Sequence, residues 1–261
     1  MEYRRFFIAI AVLLTLTGLL FASCEKEGEK ANVPSGRDGR QSINLSTDLV
    51  LHYTFDEGAS GEVIQPVVDH SEKNCDGVCE GSPSFVTDGH GGLALKLRKG
   101  DYVNIPVMAC ADSFNVSVSL WTKDFGQGAL FTSDNGGTMV APSLYVNSDD
   151  KMCYEFGDTP GYGWSTVTFS PTMTTFQSGG WHHFVVTAER ESCQCKLYVD
   201  GVHVDTQEGE QMECYGTKMF IGGNGSNFFA AMSDPMLIDN VRIYQRVLNK
   251  NEVETLFKNR L

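Results

Sequence analysis

Beyond Leu49, apolar and polar residues take turns along short stretches of the chain. Leu51, Tyr53 and Phe55 alternate with His52 and Thr54, Leu93, Leu95 and Leu97 with Ala94 and Lys96, and Val116, Val118 and Leu120 with Ser117 and Ser119. A period of two with one apolar face predicts strands half buried in a sandwich. Further strand-like runs cover Trp181 to Thr187, Lys196 to Val199, Val202 to Val204, Met219 to Ile221 and Ile238 to Tyr244. Asp200-Gly201 predicts a two-residue hairpin turn, because both positions of such a turn need positive φ. In that register Val199 faces Val202, Cys195 faces Thr206 and Cys193 faces Glu208. Near the end, Asn249 and Glu252 are spaced as a capping box ahead of Val253, Leu256 and Phe257, which predicts one short C-terminal helix. The pattern is that of an all-β domain closed by a helix.

The first residues read differently. Arg4 and Arg5 precede an uncharged apolar run from Phe6 to Ala22, the n-region and h-region of a secretory signal. Leu20-Phe21-Ala22-Ser23-Cys24 resembles a bacterial lipobox, which implies a lipoprotein signal peptide over 1–23 and acylation of Cys24. An uncleaved membrane anchor is the other reading of that run. Residues 24–48 are rich in Gly, Ser, Asn and charge and predict a lipid-anchored flexible tether. Their acidic start, Glu25-Lys26-Glu27-Gly28-Glu29, resembles the surface-export signals of Bacteroidota-type lipoproteins and implies the outer membrane and cell surface. The globular domain is expected over 49–261.

The chain carries a formal charge of −13 and has no basic stripe. Nucleic acid is excluded as a partner, since phosphate neutralisation supplies most non-specific affinity. Polyanionic glycans are disfavoured unless a cation bridges them. Of eight cysteines, Cys24 is assigned to the lipid, and the remaining seven cannot all pair within one chain. Disulfides are permitted in an exported protein, but their connectivity stays open.

Leu51-His52-Tyr53-Thr54-Phe55-Asp56-Glu57-Gly58, Asp101-Tyr102-Val103-Asn104-Ile105, Gly180-Trp181-His182-His183, Leu197-Tyr198-Val199-Asp200-Gly201, Ile221-Gly222-Gly223 and Ile238-Asp239-Asn240-Val241-Arg242-Ile243-Tyr244 follow one another in the order of a known fold. Together they resemble the LamG-like (concanavalin A-like lectin/glucanase) jelly roll. The resemblance implies a two-sheet antiparallel jelly-roll β-sandwich, whose members include glycan binders, adhesion modules and enzymes. It also implies a structural Ca²⁺ held by Asp56, Asp69 and Asp239. The other reading of these aspartates is turn caps and, for Asp239, a solvent-facing position. Related hydrolases carry a signature resembling E-x-D-x-E, which places two carboxylates on one face of a strand. This chain has no match, so no catalysis is expected.

A sugar needs an aromatic platform flanked by hydrogen-bonding groups. Tyr162 and Trp164, in Gly157-Asp158-Thr159-Pro160-Gly161-Tyr162-Gly163-Trp164, are the expected platform, with Phe228 as a second option; Trp121 and Trp181 read as core. The leading expectation is a non-catalytic carbohydrate-binding surface lipoprotein, part of a polysaccharide capture or uptake system. An adhesion or structural module that contacts surface or host proteins is the alternative, and an unrecognised glycoside hydrolase the second alternative.

Overall fold

The structure is a computed structural model. It describes residues 43–61, 65–87, 91–105, 115–132, 142–159, 163–177, 179–209, 219–223 and 235–260, with the backbone alone for 157–159 and 163–164. The first strands are β1 (Leu49–Tyr53), β2 (Val78–Glu80), β3 (Ser84–Val86), β4 (Ala94–Leu97), β5 (Tyr102–Ile105), β6 (Val116–Lys123), β7 (Gly128–Thr132) and β8 (Ser143–Val146). They are followed by β9 (Lys151–Thr159), β10 (Gly163–Thr172), β11 (His182–Glu189), β12 (Gln194–Val199), β13 (Val202–Glu208), β14 (Met219–Gly222) and β15 (Met236–Tyr244), and then by the helix α1 (Lys250–Lys258).

Two antiparallel sheets face each other, as the alternation predicts. One has the order β13-β12-β11-β6-β15-β4-β3 with β1 also paired to β15, and the other runs β10-β9-β8-β7-β14-β5-β2. Tyr53, Val118 and Ile243 from the first sheet share one core with Phe131, Leu144 and Phe169 from the second. Burial of this apolar layer is the main favourable term in folding.

The central strands depart from the half-buried expectation, because they are buried on both faces. In β6, Val116, Val118 and Leu120 point into the sandwich, and the intervening Ser117, Ser119 and Trp121 are also buried. The reason is α1, which lies over the outer face of the eight-stranded sheet. Val253 and Leu256 of the helix join Val185, Tyr198 and Tyr244 of the sheet in a second, smaller core. Trp121 is therefore core in this outer layer, in a three-ring cluster with His183 at 4.9 Å and Phe257 at 5.7 Å, which themselves lie 6.2 Å apart. Trp181 precedes β11 and is half-buried, so it is not the strand residue the pattern suggested.

The helix starts where the capping box predicts. The Asn249 side chain accepts from the N–H groups of Asn251 and Glu252, and Glu252 reaches back to the Asn249 N–H. Arg246 binds the Glu252 carboxylate at 2.8 Å and donates to the carbonyl of Thr47. Gln245 N–H donates to the Asp48 carbonyl. These bonds hold residues 44–48 against the body, so the folded domain begins earlier than the composition of the tether placed it.

The Asp200-Gly201 turn forms with φ of 51° and 76°. Val199 pairs with Val202 as expected, but Cys195 pairs with Gln207 and Gln194 with Glu208. A bulge between Tyr198 and Leu197 inserts Val204, which slides the rest of the hairpin by one residue. Among the described residues Cys75, Cys79, Cys153, Cys193 and Cys195 carry no disulfide, which corrects the disulfide expectation for those five. Burial pushes the Cys79 thiol up to about 11 and that of Cys195 to about 12, so both stay protonated and unreactive at neutral pH.

On the outer face His52 of β1 sits opposite Arg242 of β15. Burial, and then the nearby guanidinium, hold the His52 imidazole down at about 4. The unfolded chain takes up that proton near 6.5 and the folded chain does not. Stability from this group is complete above about pH 6.5 and falls as pH drops toward 4, by on the order of 2 kcal/mol at pH 4.5. Thermal melting across pH 7.5 to 4.5 checks this, and His52→Gln is expected to flatten the fall.

Candidate functional site

A groove of about 640 Å³ opens where the β12–β13 hairpin extends past the edge of α1. Its floor comes from alternate outward positions of β12, Lys196 and Tyr198, and continues through the turn Asp200-Gly201 to Val202 and His203. Its wall is one face of α1, where Lys250, Glu254, Phe257 and Lys258 recur at helical spacing. The Tyr198 and His203 rings lie 5.3 Å apart at 59°, and His203 Nε2 meets Thr206 Oγ1 at 2.8 Å. Beside them Val202 is 62% exposed and Val204 37%, an unusual display of large apolar side chains on an edge strand.

The charges around the groove have unequal commitments. Asp200 Oδ1 accepts the His183 N–H at 2.9 Å, and its Oδ2 meets His182 Nδ1 at 2.8 Å. Glu254 lies between two cations, 2.8 Å from Lys258 and 3.7 Å from Lys250. The hydrogen bond from Lys258 holds the Glu254 carboxyl below its ordinary value. Lys196 is half-buried on the floor.

Tyr162, Phe228 and Cys24 lie outside the described residues. Gly163 and Trp164 already belong to β10, with Trp164 paired to Gly157, rather than to a loop. Neither Lys196 nor the lysines of α1 drew attention in the sequence. The available signal was the repeat of Lys250, Glu254, Phe257 and Lys258 on one helical face.

The residues proposed for Ca²⁺ do not fit that ion. Asp69 is 5% exposed, and its four acceptor directions are occupied by the N–H groups of His52, Ser71 and Cys75 and the Ser71 hydroxyl, at 2.7–2.9 Å. Asp56 Oδ1 accepts the Leu93 N–H at 2.7 Å and packs so closely on Gly92 that a Cβ there would collide with it. Asp239, 2% exposed, faces neither water nor the other two. It sits on β15 opposite Trp121, accepts the Asn240 N–H and lies near Arg242. Among the described residues no three His, Cys, Asp or Glu side chains converge to hold a metal.

The model of the concanavalin A-like lectin/glucanases superfamily matches residues 97–254 of the chain. No curated protein matches it. Among solved structures, the binding domain of Paraclostridial Mosquitocidal Protein 1 is 20% identical with a TM-score of 0.62, over 83% of this chain and 53% of that one. The binding domain of Botulinum neurotoxin DC in complex with rat synaptotagmin II is 13% identical with a TM-score of 0.63, over 83% and 52%. The same domain in complex with SialylT is 13% identical with a TM-score of 0.62, over 83% and 52%. The chain thus spans about half the length of the structures it matches, and at these identities the likeness is one of fold.

Two outcomes follow from the geometry. Asp69→Ala leaves four donors without their acceptor and is expected to cost about 3 kcal/mol or more, while a chelator leaves the melting midpoint of the unaltered chain where it is. Gly201→Ala places a methyl 3.0 Å from Phe257 Cδ1 on a residue with φ of 76°. Denaturant titration is expected to show a loss of about 1–3 kcal/mol.

Proposed function

Because the chain belongs to the concanavalin A-like lectin/glucanases superfamily, we propose that it is a non-catalytic carbohydrate-binding module and that the groove beside α1 is its binding site. The observation that carries this reading is the exposed His203 ring, backed by the buried Tyr198 ring 5.3 Å away, beside the charged, hydrogen-bonding groups of α1. A pyranose presents one apolar face and a rim of hydroxyls, which is the complement of that surface. A similar domain solved in complex with SialylT is consistent with it.

Binding rather than hydrolysis is supported by the state of the two groove carboxylates. Asp200 is tied to the backbone and to His182. Glu254 is shifted by Lys258 in the direction opposite to that needed by a general acid. The proposal also keeps the setting expected from the N-terminal sequence: a protein acylated at Cys24, held on the outer membrane and facing outward, serving polysaccharide capture.

A protein partner is the second reading. It is favoured by Val202 and Val204, which stand exposed beside the groove, and by the similar domain in complex with synaptotagmin II.

Binding of the full chain to a glycan array, followed by calorimetry on the best ligand, tests the proposal. His203→Ala is expected to weaken binding about threefold to tenfold, the range of an aromatic contact. Silence on the array with retention on immobilised surface proteins would select the second reading. Loss of binding in Trp164→Ala but not in His203→Ala would move the site to the β9–β10 end of the sandwich.

A further inference from the structure

We propose that the groove selects sugars bearing a carboxylate, with Lys196 as the residue that reads it and Lys250 as its partner across the groove. The inference rests on the carbohydrate reading of this site and names its ligand class. It reverses what the charge of the chain suggests, since 33 Asp and Glu against 20 Lys and Arg would repel an acidic glycan.

The reversal comes from where the charges sit. Three ammonium groups line the groove, on Lys196, Lys250 and Lys258, against the carboxylates of Asp200 and Glu254. Asp200 has both oxygens engaged beneath the turn, one by the His183 N–H and the other by His182. Glu254 is divided between Lys250 and Lys258, and the contact to Lys250 is the longer, at 3.7 Å against 2.8 Å. One carboxylate cannot neutralise two lysines, so Lys250 retains unsatisfied positive charge. Lys196, half-buried on β12, lines the same groove from the strand side. An anionic group entering here meets ammonium donors from both sides, on the strand and on the helix.

The net charge of the protein does not cancel this arrangement. In physiological salt, exposed charges more than about 8 Å apart are largely screened from one another. Contact between a carboxylate and the groove lysines is governed by charges inside that radius. A charge-assisted hydrogen bond is about twice as strong as a neutral one. The aromatic floor fixes what carries the acid: a ring with an apolar face that can lie on the exposed His203 ring, which a uronic-type sugar provides and a bare inorganic anion does not.

The experiment uses the full chain and a panel of uronate-bearing oligosaccharides, each paired with its carboxyl-reduced, neutral form. Affinities are measured by calorimetry at low and high salt. The expected result is a preference of about tenfold or more for the acidic member of at least one pair. That preference shrinks as salt rises from about 0.05 to about 0.5 M and collapses to within about twofold in the Lys196→Gln, Lys250→Gln double variant. Lys73→Gln, an exposed lysine outside the groove, is expected to keep the preference and so separates local from total charge. Equal affinity for both members of every pair overturns the inference and leaves the carbohydrate reading standing. So does a preference that survives the double variant while its melting midpoint is unchanged. Binding to no member of the panel, acidic or neutral, overturns the inference and the carbohydrate reading together.

Discussion

The seating of α1 on the outer face of the eight-stranded sheet is the constraint from which the rest of the molecule follows. A sandwich with one wet face would place Ser117, Ser119, Trp121, Val185, Tyr198 and Tyr244 in water. The helix covers this face with Val253 and Leu256 and stacks Phe257 on Trp121. Its position is over-determined. The capping box fixes where it starts, Arg246 joins it to residues 44–48 through Glu252 and Thr47, and Gly201, at positive φ, lets Phe257 approach the turn so closely that a methyl there would be tight. With nine residues, α1 is shorter than the sheet is wide. The groove runs along the side of the helix, between its Lys250–Lys258 face and the β12–β13 hairpin.

Carboxylates do a second kind of structural work. Asp69 gathers donors from β1 and from the 71–75 loop, Asp101 accepts the N–H groups of Ser82 and Arg98, Asp56 accepts that of Leu93, and Asp200 that of His183. Each satisfies backbone donors that a sheet-to-loop transition would otherwise leave unpaired. This explains why aspartates that resemble calcium ligands in sequence serve here as acceptors for the chain's own N–H groups. An Asp beside a turn has the same local signature in both roles. What separates the roles is whether other carboxylates or the chain's own N–H groups converge on its oxygens, and that depends on residues up to 37 positions away.

Those elements that depend on local spacing were legible. The inward face of Leu51–Phe55 and of Val116–Leu120, the Asp200-Gly201 turn and the Asn249–Glu252 box all appear in the structure as their pattern implies. What failed to show were features decided across distance. Val204 carries no mark of a bulge, so the register beyond it came out one residue off. Trp121 and His183 read as ordinary strand residues because nothing near them announces a helix more than 60 residues later. The groove joins Lys196 to Lys258, and neither segment alone has a motif.

The groove also differs from the rest of the fold in what its side chains contribute. Tyr198 belongs to the outer core, but Val202, His203 and Lys250 are exposed and Lys196 is half-buried. Exposed apolar surface on an edge strand gives the folded chain nothing, and its removal from water becomes available only when something else covers it, at about 25 cal/mol per Å². The same holds for a partly neutralised lysine, whose field is strongest where solvent is displaced. Apolar floor and cationic walls thus reach their full interaction energy together, and only with an occupant that is flat on one side and negative at its rim. The fold is complete without that occupant, so the chemistry of these few positions, rather than the sandwich, decides what the module recognises.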